Sequence, residues 1–250
     1  MALLENVRVV LVGPQEPMNV GAVARAMKNF GLSQLGLVMP EERVAQDLAS
    51  RPNSNAYKLA VHAEDVLENL RVYQSLAEAV SGCVLVVGTT VRPRDLHTGP
   101  VVFPREAASQ VVRFTQQGSV ALVFGREMYG LSNEELDLSH LVVRIPTAPE
   151  QKSLNLAQAV LLCCYEIFLA ADGPAPPPEE AVAGQDALMG LFQDLEAYVL
   201  ETGFTDENRH PYAKRRLRKI LHKALLTPGE VQLLRGLLHQ SRWYAAHKPK

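Results

Sequence analysis

Five short apolar runs, at residues 7–12, 35–39, 84–87, 120–124 and 141–145, restrict the folds open to this chain more than any other feature. They are rich in valine and leucine, and turn residues bound most of them. Strands that read as continuous hydrophobic runs are buried on both faces, which is typical of parallel sheets covered by helices. Between the runs, the spacing predicts helices at residues 19–30, 56–69, 76–80, 105–116 and 133–137. The alternation argues for an α/β domain over residues 1–171, with a mainly parallel sheet and helices on both faces. Its last helix, 155–170, is apolar almost all the way round (Leu156, Val160, Leu161, Leu162, Ile167, Phe168, Leu169). A helix without a polar face is expected in a core or against another subunit.

Residues 172–185 read DGPAPPPEEAVAGQ. Proline fixes φ and removes N–H donors, so this stretch is predicted to be a linker. Beyond it, residues 186–202, 209–225 and 230–243 have helical patterns, giving a small helical appendage over 186–250. Charge divides along the same line. Of the chain's 25 Lys+Arg and 27 Asp+Glu, 11 and 3 fall in residues 203–250, leaving 14 and 24 for the first 202. That asymmetry fits either a surface for a polyanion or a solvated basic helix. Cys83, Cys163 and Cys164 have neither disulfide-framework nor CxxC spacing and read as small core residues of a reducing compartment. The N-terminal residues lack a basic segment leading into a long apolar one, and no run approaches the ~18 apolar residues of a membrane span. The expectation is a soluble cytoplasmic protein with no membrane partner.

Four clusters place glycines, amides and charges at the ends of apolar runs, where ligands bind in open α/β sheets. The first runs from Gly13 through Asn19 and Arg25 to Phe30. Asn19 is placed to cap a helix, and Arg25 falls opposite the apolar positions Val20, Val23, Met27 and Phe30. The helix start offers N–H groups suited to a phosphate, and Arg25 could add a charged donor. A capped helix with a solvated arginine is the plainer alternative. The second cluster, Gly88-Thr89-Thr90-Val91-Arg92, either lines an adenosine pocket or makes a turn. The third, Gly125-Arg126-Glu127-Met128-Tyr129-Gly130-Leu131-Ser132, holds two conformationally permissive glycines, two loop charges, and a capping box between Ser132 and Glu135. The fourth runs from Ile145 through Lys152, Ser153, Leu154 and Asn155 into the apolar helix; its polar groups cap that helix, touch a ligand, or do both. The chain has no G-x-G-x-x-G after the first run, no P-loop, no G-x-S-x-G elbow and no metal-spaced His/Cys set.

Taken in order, N-x-G-A-x-A-R-A-x-x-x-F, L-V-F-G-R-E-x-x-G-L-S-N-E-E-L, and I-P-T followed by S-L-N-L-A-Q-A-V resemble the three motifs of the TrmH-like branch of the SPOUT methyltransferases, across about residues 5–170. The resemblance implies a trefoil knot near the end of the α/β domain and a homodimer with shared active sites. It also implies S-adenosylmethionine as cofactor, in a pocket lined by Thr89, Thr90, Val91, Gly125, Ile145, Ser153, Leu154 and Asn155. Arg25 would be nearest the chemistry, supported by Asn19 and Glu127. Within the branch, the short N-terminus and the segments E-T-G-F and L-L-R-G-L-L resemble the bacterial enzymes that methylate the 2′-hydroxyl of nucleotide 32 in the tRNA anticodon loop. A ribosomal RNA 2′-O-methyltransferase of the same branch, and a non-catalytic RNA-binding protein on the same fold, are the competing readings. In the tail, Lys214, Arg215, Arg218 and Lys219 are the candidate tRNA-binding residues, expected to face outward while Leu217, Ile220, Leu221 and Leu225 pack.

Overall fold

The computed structural model describes residues 2–91, 100–172 and 181–247. Arg92, His97 and most of the proline-rich segment lie outside them. The first part alternates β1 (Val7–Val12), α1 (Pro17–Asn29), β2 (Gln34–Val38), α2 (Glu42–Ala49), α3 (Asn55–Leu59), α4 (Glu64–Glu68), β3 (Arg71–Tyr73), α5 (Leu76–Val80) and β4 (Cys83–Thr89). It continues with β5 (Val101–Val102), α6 (Pro104–Phe114), β6 (Ser119–Phe124), α7 (Asn133–Leu136), β7 (Leu141–Val143) and α8 (Leu156–Ala171). Three helices follow: α9 (Gln185–Glu201), α10 (His210–Ala224) and α11 (Pro228–Ala246).

The strands form one seven-stranded sheet in the order β3-β2-β1-β6-β4-β7-β5, and every pairing is parallel. Alternate residues feed two cores. Val7, Val9 and Leu11 join the layer of α1, α6 and α8, whereas Val10 and Val12 join that of α5 and α7. This two-sided burial is why the strands read as unbroken apolar runs. The later strands insert between earlier ones: β6 lies between β1 and β4, and β7 between β4 and β5. The C-terminal ends of β1, β6, β4 and β7, which carry the four polar clusters, are therefore neighbours.

Several sequence expectations are corrected. Strands β3 and β5 are not among those expected; they are edge strands of three and two residues, too short for a pattern. The amphipathic α2 was also missed, and the helix expected at 56–69 is two, α3 and α4, separated at Ala60–Ala63. The strand in the run 141–145 ends at Val143. Asn19 does not cap α1, because the helix already begins at Pro17, the favoured first-turn position for proline. Helix α8 is not enclosed all round. Leu156, Val160, Cys163, Cys164 and Ile167 are buried, while Leu161, Leu162, Tyr165 and Leu169 are 38–46% exposed.

The C-terminal helices have a core of their own, centred on Leu188, Leu191, Phe192, Leu226 and Val231. They meet the sheet domain along a polar seam. Asp186 accepts from Ser81 Oγ and the Gly82 N–H, and Gln185 Nε2 donates to the Leu138 carbonyl. Arg215 bridges to Glu134 and Asp137, both at 3.2 Å. Arg218 and Lys214 both pair with Glu196 of α9, at 2.6 and 2.8 Å. The expectation that α10 turns its charges outward and packs its apolar residues thus fails at four positions. Arg218 is buried and Arg215 and Lys214 are engaged internally, while Ile220 is 63% exposed. Neighbouring helices supply carboxylates, and a buried guanidinium that finds a paired, hydrogen-bonded site is retained in the seam.

At the centre of the seam, the rings of His140 and His222 meet edge to face at 5.2 Å, with Phe192 against His222 at 5.0 Å. His140 Nδ1 accepts from the Val86 N–H at 2.9 Å, which requires a neutral ring. Burial holds His140 at a pKa of about 4, and burial reinforced by His140 holds His222 at about 3. Asp137, raised by burial against the pull of Arg215, acts in the opposite sense. Below the ordinary histidine pKa of about 6.5, the unfolded chain binds protons that the folded chain refuses. Stability is therefore expected to fall as pH falls from about 6.5 toward 4, by roughly 3 kcal/mol through His140 alone. Urea midpoints at about pH 7 and about pH 5 should differ less in His222→Leu than in the parent chain; equal differences would remove His222 from the effect.

Candidate active site

A cavity of about 410 Å³ opens at the C-terminal ends of β4, β6 and β7. It falls within the size range of small-molecule sites, roughly 300–1,000 Å³. Its walls come from the ends predicted to bind a ligand: Thr89, Thr90 and Val91 after β4, Gly125 and Glu127 after β6, and Ile145, Ser153 and Leu154 after β7. Phe124, Leu131, Val143 and Leu156 form the buried apolar part. Thr89 Oγ1 donates to the Val123 carbonyl at 3.0 Å, and the Thr90 N–H to the Val143 carbonyl at 3.0 Å, so this loop is tied to both neighbouring strands.

The loop after β6 is held in shape on both sides. Arg126 and Gly130 form an isolated antiparallel bridge, and the Gly130 N–H donates to the Arg126 carbonyl at 2.8 Å. The Arg126 guanidinium grips the Glu135 carboxylate at 3.0 and 3.1 Å. Glu135 also closes the predicted capping box with Ser132 at the start of α7.

Glu127 turns toward α1. Its carboxylate accepts the N–H groups of Gln15 at 3.2 and 3.1 Å and of Glu16 at 3.2 Å, as well as Asn19 Nδ2 at 3.0 Å. Asn19 Oδ1 in turn accepts from Asn155 Nδ2 at 2.9 Å. Asn155 uses its own Oδ1 to cap α8, through the N–H groups of Ala157 and Gln158. That cap leaves only the amide nitrogen to face Asn19, so the direction of the chain Asn155–Asn19–Glu127 is determined. The N–H groups leading into α1, considered as a phosphate site from sequence, are taken by the protein's own carboxylate. Asn19 and Asn155 are not among the residues that line the cavity, and Asn155 both caps and connects.

A model of the SpoU rRNA Methylase family matches residues 6–165. The chain belongs to this family. Near-full-length relatives include the tRNA (cytidine/uridine/adenosine-2′-O-)-methyltransferase TrmJ of Pseudomonas aeruginosa, 39% identical over 96% of this chain and 95% of its own. A tRNA (cytidine/uridine-2′-O-)-methyltransferase TrmJ of Klebsiella pneumoniae is 41% identical over 94% and 96%. Among solved structures, TrmJ from Z. mobilis ZM4 superposes with a TM-score of 0.78 at 37% identity, covering 94% of this chain and 98% of that one.

In this SpoU family chain, Arg25 stands apart from the cavity. It is exposed on α1, does not line the wall, and makes no side-chain hydrogen bond or ion pair among the described residues. Sequence reasoning placed Met128, Tyr129 and Lys152 within the polar clusters but gave them no part in the pocket, whose wall they join. The available signal for the first two was two large side chains in a short loop between glycines, where no core awaits them.

Two glycines allow a comparison of physical costs. A Cβ on Gly125 would stand 2.1 Å from the Gly130 carbonyl carbon and 2.2 Å from the Leu131 nitrogen. Gly130 has open space around it but a φ of +67°. Gly125→Ala must force two backbone segments apart and is expected to cost about 3 kcal/mol, while Gly130→Ala costs about 1 kcal/mol. Denaturant titration of both variants checks the order; Gly130→Ala as the more damaging change would mean that conformation, not close approach, controls the loop.

Proposed function

We propose that this chain is an S-adenosylmethionine-dependent tRNA 2′-O-ribose methyltransferase acting at nucleotide 32 of the anticodon loop. The similarity to tRNA 2′-O-methyltransferases along nearly the whole of both chains carries this reading. The cavity supports it, since hydroxyl-bearing Thr89 and Thr90, an apolar interior and the Glu127 carboxylate suit a nucleoside joined to a cationic amino-acid group. Thr89, Thr90, Val91, Gly125, Ile145, Ser153 and Leu154 would hold it, with Asn155 positioning the last loop. S-adenosylmethionine bound there supplies an electrophilic methyl group.

The chain's own part is alignment and charge placement. Glu127 and Asn19 lock the start of α1 to the cavity rim, so the helix carrying Arg25 is in a defined relation to the donor loops. Arg25 would anchor the phosphate next to the target ribose and polarise its hydroxyl. A guanidinium stays protonated, so the hydroxyl proton leaves to phosphate or water rather than to Arg25. Because Arg25 lies off its own chain's cavity, the reading includes a homodimer in which Arg25 of one subunit serves the cavity of the other. The half-exposed apolar residues of α8 supply a surface for that dimer. The reading further includes a trefoil knot in a catalytic domain of residues 1–171, a linker of 172–185, an RNA-binding extension of 186–250, and a cytoplasmic location. No helix among the described residues is long and apolar enough to cross a membrane. Within the extension, Lys214, Arg215 and Arg218 are committed to ion pairs, so phosphate contact falls chiefly to Lys219 and the exposed Arg209 and Arg216.

The direct test is methyl transfer from labelled S-adenosylmethionine to unmodified tRNA and, separately, to ribosomal RNA, with nuclease digestion and mass spectrometry to locate the product. A 2′-O-methyl group at nucleotide 32, reduced about 100-fold or more by Arg25→Ala, is expected. Label on ribosomal RNA alone would overturn the substrate, and no transfer with no donor binding would leave a non-catalytic RNA-binding protein. For the shared site, Leu162→Glu with Leu169→Glu is expected to yield an inactive monomer in sedimentation. A monomer with full activity would refute the borrowed arginine.

A further inference from the structure

At the mouth of the cavity, the loop after β6 presents Met128 and Tyr129. Both line the cavity, yet they remain 73% and 70% exposed. Neither belongs to a hydrophobic cluster of the fold. The loop that carries them is nevertheless among the most constrained in the molecule: the Arg126–Gly130 bridge, the Arg126–Glu135 pair, the Glu127 contacts with Gln15, Glu16 and Asn19, and the tight approach of Gly125 to Gly130 all hold it. A rigid tip holding two large apolar side chains in water contributes little to folding. It is arranged for recognition, because ordering the tip adds no cost when a ligand arrives.

We infer that Tyr129, flanked by Met128, is the platform on which the base of the target nucleotide stacks. The inference rests on the methyltransferase reading and assigns the base-binding part of the same site. An enclosed donor ligand is covered by the buried walls, Phe124, Leu131, Val143 and Leu156, and leaves the exposed tip uncovered. The accepting ribose must lie at the cavity mouth for its hydroxyl to reach the methyl group, and its base is one bond away. A base taken out of its own stack needs a flat apolar face, and aromatic side chains supply one. Tyrosine gives a flat ring, and the methionine thioether adapts to either base size. Lys152, which also lines the cavity and is exposed, would offer a positive charge to the phosphates of the bound RNA. Stacking discriminates weakly among bases, so this platform predicts tolerance at the target position rather than strict selection of one base.

The test compares the full chain with Tyr129→Phe and Tyr129→Ala. Tyr129→Ala is expected to lower kcat/KM for tRNA about 10- to 100-fold, mainly through KM. S-adenosylmethionine affinity by calorimetry and the oligomeric state should be unchanged, and Tyr129→Phe should keep most of the activity. A second readout does not need turnover. An anticodon stem-loop carrying 2-aminopurine at nucleotide 32 should show fluorescence quenching on binding the parent chain and Tyr129→Phe, but not Tyr129→Ala. Quenching that depends on Tyr129 without any methyl transfer would keep the platform and sink the methyltransferase reading. Methyl transfer with quenching and KM indifferent to Tyr129→Ala would sink the platform alone. An equal loss of donor affinity in Tyr129→Ala would make the residue a cover for the cofactor, and a monomeric Tyr129→Ala would make it a subunit contact; either overturns the inference.

Discussion

The insertion of β6 between β1 and β4 is the constraint on which the rest of the molecule depends. Parallel pairing on both edges of β6 commits its backbone groups and buries it on two faces, so its direction and register are not negotiable. With β6 in place, the loops after β1, β4, β6 and β7 leave the sheet side by side at one end. Segments more than a hundred residues apart in sequence then touch, as Asn19 and Asn155 do at 2.9 Å. Had β6 been added at an edge, the same loops would have been formed and dispersed.

Glu127 converts that adjacency into a rigid rim. A carboxylate that accepts several N–H donors is held more firmly than a neutral acceptor, because charge-assisted hydrogen bonds are roughly twice as strong. It joins the loop after β6 to the start of α1, and Asn19 passes the connection to the cap of α8. The structural and the proposed functional roles are inseparable here. The groups that cap and tie the helices also set where Arg25 and the cavity walls stand relative to each other, and a supported rim is what in-line transfer requires.

The basic tail illustrates how charge can mislead. An excess of lysine and arginine over residues 203–250 reads as a surface for a polyanion, yet Arg218, Arg215 and Lys214 are consumed by Glu196, Glu134 and Asp137. Two of those three acids belong to the sheet domain. Composition counts charges along the chain, whereas the electrostatic field depends on what the fold sets opposite them. The same seam buries His140 and His222 in contact, two residues far apart along the chain.

Local structure was legible because local physics governs it. Residues 7–12 and 76–80 form the anticipated strand and helix with unchanged limits, and the Ser132–Glu135 capping box is as read, since propensity, burial pattern and capping act within a few residues. The residues from Thr89 to Leu154 were singled out by their place at strand ends and by resemblance to a family, and the fold brings them to the lining of one cavity. Short edge strands such as Val101–Val102 escaped notice because their pairing energy comes from the neighbour they join. The sequence by itself determined the longer strands, most of the helices and which loops carry polar groups. Only the tertiary structure decided that Glu127 occupies the entrance to α1, that Arg25 stands outside its own chain's cavity, and that Tyr129 stands exposed at its mouth. Each of those outcomes depends on strand order, and strand order arises from long-range pairing that no local pattern encodes.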